Sequence, residues 1–158
     1  MQTYLRVEAQ NMGNTLFDTD KLPILRGGSL MLRNAIRGVE QLLVPDHADR
    51  VRVGAEAAVF KLKGDPENAI QRVRTHLAAN AGQFTFAVVA VNAKSDVDGM
   101  DRALALARWQ QGRRPRLAPE PDTGFDVCAY TRVRAAESTD LATGKPVSYS
   151  ALNRGEYG

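Results

Sequence analysis

The stretch RVRVGAEAAVFKL, residues 50–62, decides the fold. Val51 and Val53 lie in one short extended arm, and a second arm covers 59–62. Both arms carry β-branched or aromatic residues, and the segment 54–57 between them is short and contains a glycine, which is typical of a tight turn. The stretch therefore predicts a β-hairpin with a single carboxylate, Glu56, at its tip.

The elements around this hairpin predict an α+β domain. Alternating residues predict a first strand at 4–9. Helical spacing of apolar residues predicts three helices, at 30–43, 67–80 and 97–111. A continuous apolar run predicts a buried strand at 84–92. The order predicts a ferredoxin-like βαββαβ sheet with helices on one face, followed by an irregular C-terminal extension. The first strand is expected to lie beside the first strand of the hairpin.

Bulk properties narrow the class of protein. The chain has 158 residues and a net charge of +3, which permits a nucleic-acid partner without requiring one. It lacks a leader and an apolar run of roughly 20 residues, so we expect a cytoplasmic protein with no membrane partner. The single cysteine, Cys128, excludes an internal disulfide.

A change of composition predicts a boundary near residue 112. The segment GRRPRLAPEPDTG is rich in arginine and proline, as linkers often are. We expect one domain over 1–111 and a basic linker with a small connector over 112–158, continuing in a longer chain. Arg113, Arg114 and Arg116 are candidate contacts to an RNA backbone, and a solvated connector, which such runs more often form, is the alternative.

A second candidate site precedes the first predicted helix. Arg26, Gly27, Gly28 and Ser29 are predicted to form a turn with Ser29 as the N-cap. Exposed backbone N–H groups at a helix N-terminus attract anions, and Arg26 adds a full charge. The pattern predicts a site for a nucleotide or RNA phosphate, with Asn11 at its mouth. A plain glycine turn is the alternative.

Three stretches together resemble a known family. VRVGAEAAVFKL resembles the glycine–acid hairpin of GGDEF-type nucleotidyl cyclases. Two further stretches resemble segments of the large polymerase-like subunit of type III CRISPR effector complexes, or of a related antiphage protein. They are NTLFDTDKLPILRGGSLMLRNAI and the tail from FDVCAYTRVRAAES onward. The resemblance implies a palm fold, a second palm domain as partner, and cyclic oligonucleotide synthesis from ATP in the active palm.

The resemblance also implies where catalytic acids would lie. Two-metal nucleotidyl transfer needs converging carboxylates. The first-strand acid would correspond to Glu8, and the hairpin would correspond to Gly54, Ala55, Glu56 and Ala57. Alanine cannot bind a metal, so we expect degenerate positions, no catalytic residue, no metal site, and Mg²⁺ only with bound ATP. Glu56 as an exposed turn residue and Glu8 as a solvated strand residue are the alternatives.

Three functions follow from these residues. The first is a degenerate palm that scaffolds an active partner palm and helps to bind ATP or RNA. The second is an active minimal cyclase that uses Glu8 and Glu56 with Mg²⁺. The third is a small ferredoxin-like RNA-binding module, although the chain offers few aromatic side chains for base stacking.

Overall fold

The computed structural model describes residues 1–113, 126–132 and 134–158. The elements are β1 (Gln2–Gln10), α1 (Met12–Thr15), α2 (Leu22–Leu43), β2 (Ala48–Val53), β3 (Ala57–Leu62), α3 (Pro66–Ala81), β4 (Thr85–Ala93), α4 (Asp96–Arg113), β5 (Ser138–Thr139), β6 (Pro146–Val147) and α5 (Tyr149–Tyr157). No helix among these residues is long and apolar enough to cross a bilayer.

The main sheet confirms the predicted α+β class. Four strands pair antiparallel in the order β2-β3-β1-β4, and α2 and α3 supply the two crossovers of a βαββαβ unit. This is the ferredoxin-like order. The remaining strands, β5 and β6, form a separate two-residue pair within the irregular C-terminal part.

The expected neighbour of the first strand is wrong. β1 pairs with β3, the second strand of the hairpin, and β2 lies at the sheet edge. The physical reason is polarity. β3 carries Ala58, Val59 and Phe60, which are all buried, whereas β2 exposes Arg50 and Arg52. Charged side chains suit an edge strand, and apolar ones suit the interior of the sheet.

The two faces of the sheet carry different helices. Tyr4 points toward α4, since a Cβ added to Gly99 would lie 2.5 Å from its ring. Arg50 points to the opposite face, where its guanidinium pairs with Glu40 of α2 at 3.2 Å. α4 therefore differs from the expectation of helices on one face only, because it lies across the sheet from α2.

Two compact units make up the described chain. One contains Met1–Gln10 and the chain from Leu32 through α4, and it holds the four-stranded sheet. The other contains Asn11–Met31 and the described residues from 126 to 158. The predicted boundary after residue 111 stays a prediction.

The second unit is built around a buried arginine. Arg154 of α5 is 0 % exposed, and its guanidinium donates to the carbonyls of Thr15, at 2.8 Å, and Leu16. It also forms an ion pair with Asp18 at 2.9 Å. Arg134 contacts the other oxygen of the Asp18 carboxylate at 2.8 Å. This cluster fixes α5 against the segment that follows β1.

Candidate functional site

The hairpin tip and the end of β1 lie side by side. Glu8 is directly opposite Ala57 in the antiparallel register of β1 and β3. The backbone N–H of Ala9 donates to the carbonyl of Glu56 at 2.8 Å, and Gly54 closes the hairpin by donating to Ala57. The acid of the first strand is therefore held next to the hairpin, at one end of the sheet.

Glu8 is engaged by two arginines. Its side chain is largely buried, at 9 % exposure for the residue. One carboxylate oxygen contacts Arg6 Nε at 2.8 Å, and the other contacts Arg108 Nη2 at 3.2 Å. Arg6 shares the strand face with Glu8, since the two are two positions apart in the strand. A metal ion at Glu8 would have to displace these cations.

The hairpin adds little metal-binding capacity. Glu56 is exposed at the tip, and Ala57 occupies the position opposite Glu8. Hard divalent cations take six or more oxygen ligands, several of them commonly from carboxylates. Among the residues that the structure describes, no group of three His, Cys, Asp or Glu side chains is placed to hold a metal. The arrangement suits ion pairing better than two-metal catalysis.

A depression of about 280 Å³ lies beside this hairpin. Arg6, Val59 and Arg52 occupy one row across β1, β3 and β2, because Arg6 pairs with Val59 and Val59 pairs with Arg52. Directly paired residues lie on the same face of a sheet. The depression is lined by these three residues and by the hairpin, at Gly54, Ala55, Glu56, Ala57 and Ala58.

The predicted turn at Arg26–Ser29 is wrong. All four residues lie inside α2, and Ser29 Oγ donates to the carbonyl of Leu25 at 3.0 Å rather than capping a helix. A Cβ on Gly27 would lie 1.6 Å from the carbonyl oxygen of Arg154. A Cβ on Gly28 would lie 2.5 Å from Leu16. The glycines permit close packing of α2 against these neighbours. Because no helix begins at Arg26–Ser29, these residues do not form the helix N-terminus on which the predicted phosphate site depended.

Among the other predicted contacts, Asn11 does not line the depression at the hairpin. Asn11 lies in the second unit, in the left-handed conformation at φ 54°, immediately before α1. Arg113 is the last residue of α4. Arg114 and Arg116 lie outside the described residues. RNA contact by these arginines stays a prediction.

A larger depression, of about 420 Å³, lies at the other end of β3. Two of its polar side chains already have partners. The Asp65 carboxylate accepts from the backbone N–H groups of Glu67 and Asn68, which caps α3. Lys63 donates to the Pro45 carbonyl and pairs with an aspartate of β2. These two side chains are therefore already engaged in local structure.

Cys128 is fully buried in the second unit, against Ile24 and Val147. Burial raises the pKa of its thiol, but hydrogen bonds from Thr131 and Ser148 outweigh burial and lower the pKa to about 7. A reactive thiolate needs solvent access as well as a lowered pKa. The thiol is therefore part of the core rather than an accessible nucleophile.

Sequence reasoning missed the arginines that define the site. Arg6 and Glu8 form an i, i+2 pair on a predicted strand, so their shared face was readable from the sequence. Arg52 was readable only after the strand order was known. Arg108 comes from α4, and nothing local links it to Glu8. The residue in the hairpin that was correctly placed from sequence is Glu56, at the exposed tip.

Comparisons with known proteins give a structural similarity but no family assignment. No protein-family model matches the sequence, and no curated protein matches it significantly. The chain is similar to a solved structure of the FimX GGDEF domain from Pseudomonas aeruginosa, with 19 % identity over 72 % of this chain and 76 % of that chain, and a TM-score of 0.45. The α+β class of this chain rests on its own strand order and pairing.

Proposed function

We propose that this chain is a catalytically degenerate palm-type domain of a cytoplasmic antiphage assembly. In this proposal it scaffolds a second, active palm domain and helps to bind ATP or RNA while the partner synthesises cyclic oligonucleotides, as in CRISPR polymerase-like subunits. The partner palm belongs either to the same longer chain or to another copy. Mg²⁺ arrives with bound ATP rather than on protein ligands.

One observation carries this proposal: Glu8 is paired with Arg6 and Arg108 and lies opposite Ala57. Two-metal transfer needs carboxylates free to hold two ions about 4 Å apart, which stabilise the attacking and leaving oxygens. The chain has the ferredoxin-like sheet and its hairpin. Here the Glu8 carboxylate is paired with two guanidinium groups, and the facing residue, Ala57, has no carboxylate.

A turnover assay tests the loss of catalysis. The chain is incubated with radiolabelled ATP or GTP and with Mg²⁺ or Mn²⁺, and products are separated by chromatography. We expect no cyclic or linear oligonucleotide. A product that disappears in Glu56→Ala would overturn the proposal and establish a minimal cyclase that uses Glu8 and Glu56.

The binding and scaffolding roles need separate measurements. Sedimentation velocity across a range of concentrations tests pairing with another copy of the chain. Titration with single-stranded RNA at two salt concentrations tests phosphate contacts, because binding through the RNA backbone weakens steeply with salt. Salt-sensitive RNA binding by a strict monomer, without ATP binding, would instead support an RNA-binding module.

A further inference from the structure

The geometry points to a metal-independent phosphate site at the hairpin, formed by Arg6 and Arg52, which takes the phosphate groups of a nucleotide. The site is the 280 Å³ depression on the sheet face that carries Val59. The assignment rests on the proposed function only in the choice of a nucleotide as the source of phosphate. The arginine pair itself follows from strand register.

A β-bulge sets the direction of Arg52. The register of β2 against β3 shifts between Arg50, which pairs with Phe60, and Arg52, which pairs with Val59. At a bulge, two residues of one strand oppose one residue of the other. Val51 packs with Val59 and Tyr4, so this part of β2 turns its side chains toward the α4 face. Arg52 consequently lines the depression, while Arg50 points to the opposite face.

Arg6 completes the pair from β1. Its ion pair with Glu8 runs through Nε, and within the described chain its Nη groups make no further ion pair. Arg52 is exposed and forms no ion pair among the described residues. The two arginines flank Val59 with one strand between them, and neighbouring strands are roughly 4.8 Å apart. Guanidinium groups bind phosphate oxygens in a planar, bidentate manner.

The floor of the depression is small and apolar. Val59 lies between the two arginines in the paired row, and Ala57 lies on the same face opposite Glu8. α4 packs mainly on β4 and β1, and Val59 at the base of the depression is itself buried against Tyr4. The volume is slightly below the roughly 300 Å³ at which small-molecule sites begin, so it suits a phosphate chain with the base outside.

The charge of Glu56 distinguishes direct phosphate binding from metal-bridged binding. Glu56 is among the residues that line the depression, at the hairpin tip. If Arg6 and Arg52 bind phosphate directly, this negative charge opposes binding. If a metal ion bridges protein and phosphate, the same carboxylate favours binding. Neutralising Glu56 therefore moves affinity in opposite directions for the two mechanisms.

Calorimetric titration of the full chain with ATP, once in EDTA and once with Mg²⁺, tests the site. We expect binding without divalent metal, an affinity about tenfold lower in Arg52→Ala, and an affinity about threefold higher in Glu56→Gln. Arg50→Ala is the matched control, since it removes the same side chain from the same strand on the opposite face, and it should leave affinity unchanged. Arg6→Lys keeps the charge near Glu8 and should weaken binding by loss of the planar contact.

Several outcomes would overturn the inference. These are no binding of ATP in EDTA, equal effects of Arg52→Ala and Arg50→Ala, and weaker binding in Glu56→Gln. Single-stranded RNA that binds through Arg52 while ATP does not would overturn the nucleotide assignment. These outcomes concern ATP affinity alone. The proposed function is judged by product formation, so failure of one can be told from failure of the other.

Discussion

Glu8 lies opposite Ala57 across β1 and β3, and its carboxylate is shared between Arg6 at 2.8 Å and Arg108 at 3.2 Å. The acid that could have begun a metal site is therefore part of an ion-paired cluster. This relationship connects the retained sheet with the proposed loss of catalysis, and it has consequences for stability as well as for ligand binding.

Removing the Glu8 carboxylate should destabilise the fold. Glu8→Ala leaves Arg6, whose side chain is only 14 % exposed, without its counter-charge. We expect a loss of about 1–3 kcal/mol in the free energy of unfolding. Arg108→Ala should cost less than about 1 kcal/mol, since that side chain is 65 % exposed and its pairing is screened by solvent. Urea unfolding measures both, and equal losses would contradict this description of the cluster.

Adding a methyl group at Gly27 should disrupt the second unit. A Cβ there would lie 1.6 Å from the carbonyl oxygen of Arg154, so Gly27→Ala forces α2 and α5 apart. We expect a loss of about 1–3 kcal/mol or more from overpacking. Gly112→Ala is the control, because it is also a helical glycine and its Cβ would meet nothing within 4 Å. Thermal unfolding should show Gly112→Ala unchanged or slightly more stable; a tolerated Gly27→Ala would refute the packing.

The buried Asp18–Arg154 pair should be costly to break. The side chains are 1 % and 0 % exposed, and Asp18→Ala leaves a buried guanidinium without its carboxylate. We expect a loss of about 3–5 kcal/mol. Asp20→Ala should change stability by less than about 0.5 kcal/mol, because its side chain is 81 % exposed and 3.9 Å from Lys21. Denaturant unfolding that gives similar losses for the two variants would be inconsistent with the cluster.

Stability should fall in acid through Asp96. The hydrogen bond from the Tyr4 hydroxyl, at 2.8 Å, and then that from Lys61 lower the pKa of Asp96 below 3.8. A carboxyl with a lowered pKa in the folded state stabilises the protein above its unfolded pKa, and this contribution is lost as pH falls through the folded pKa. The decline therefore begins near pH 4 and continues below it.

The partners of Asp96 act at the alkaline end. A hydrogen bond to Asp96 raises the pKa of Tyr4 above 10.0 and that of Lys61 above 10.5. Their contributions are present below those values and are lost as pH rises through the folded pKa values. Urea midpoints measured from pH 2.5 to 5 and from pH 9 to 11 should vary less in Asp96→Asn than in the unaltered chain. Identical profiles would remove Asp96 from the account.

The backbone plan was readable from local signals. The hairpin, the buried strand β4 and the helices α3 and α4 follow from apolar spacing and from turn residues, which are local properties. The cap at Asp65, followed by Pro66, is equally local, and the Asp65 carboxylate accepts from the backbone N–H of Asn68 at 3.0 Å.

The site could not be predicted in the same way because it depends on contacts distant in sequence. Gly27 and Gly28 look like a turn until Arg154, far along the chain, is seen to require them for close packing. Trp109 is a large apolar residue of α4 that is nevertheless 57 % exposed, because α4 faces the sheet with Ala103 and Ala107 instead. Likewise, only the tertiary structure brings Arg108 to Glu8.

Manganese binding tests most directly whether the Glu8 carboxylate serves arginines rather than a metal. Electron paramagnetic resonance of a Mn²⁺ titration, without nucleotide, counts ions bound by protein ligands alone. Both oxygens of the Glu8 carboxylate are already paired with arginines. We therefore expect Glu8→Gln to leave the number of bound Mn²⁺ ions unchanged. Two bound ions that disappear in Glu8→Gln and in Glu56→Gln would contradict this expectation.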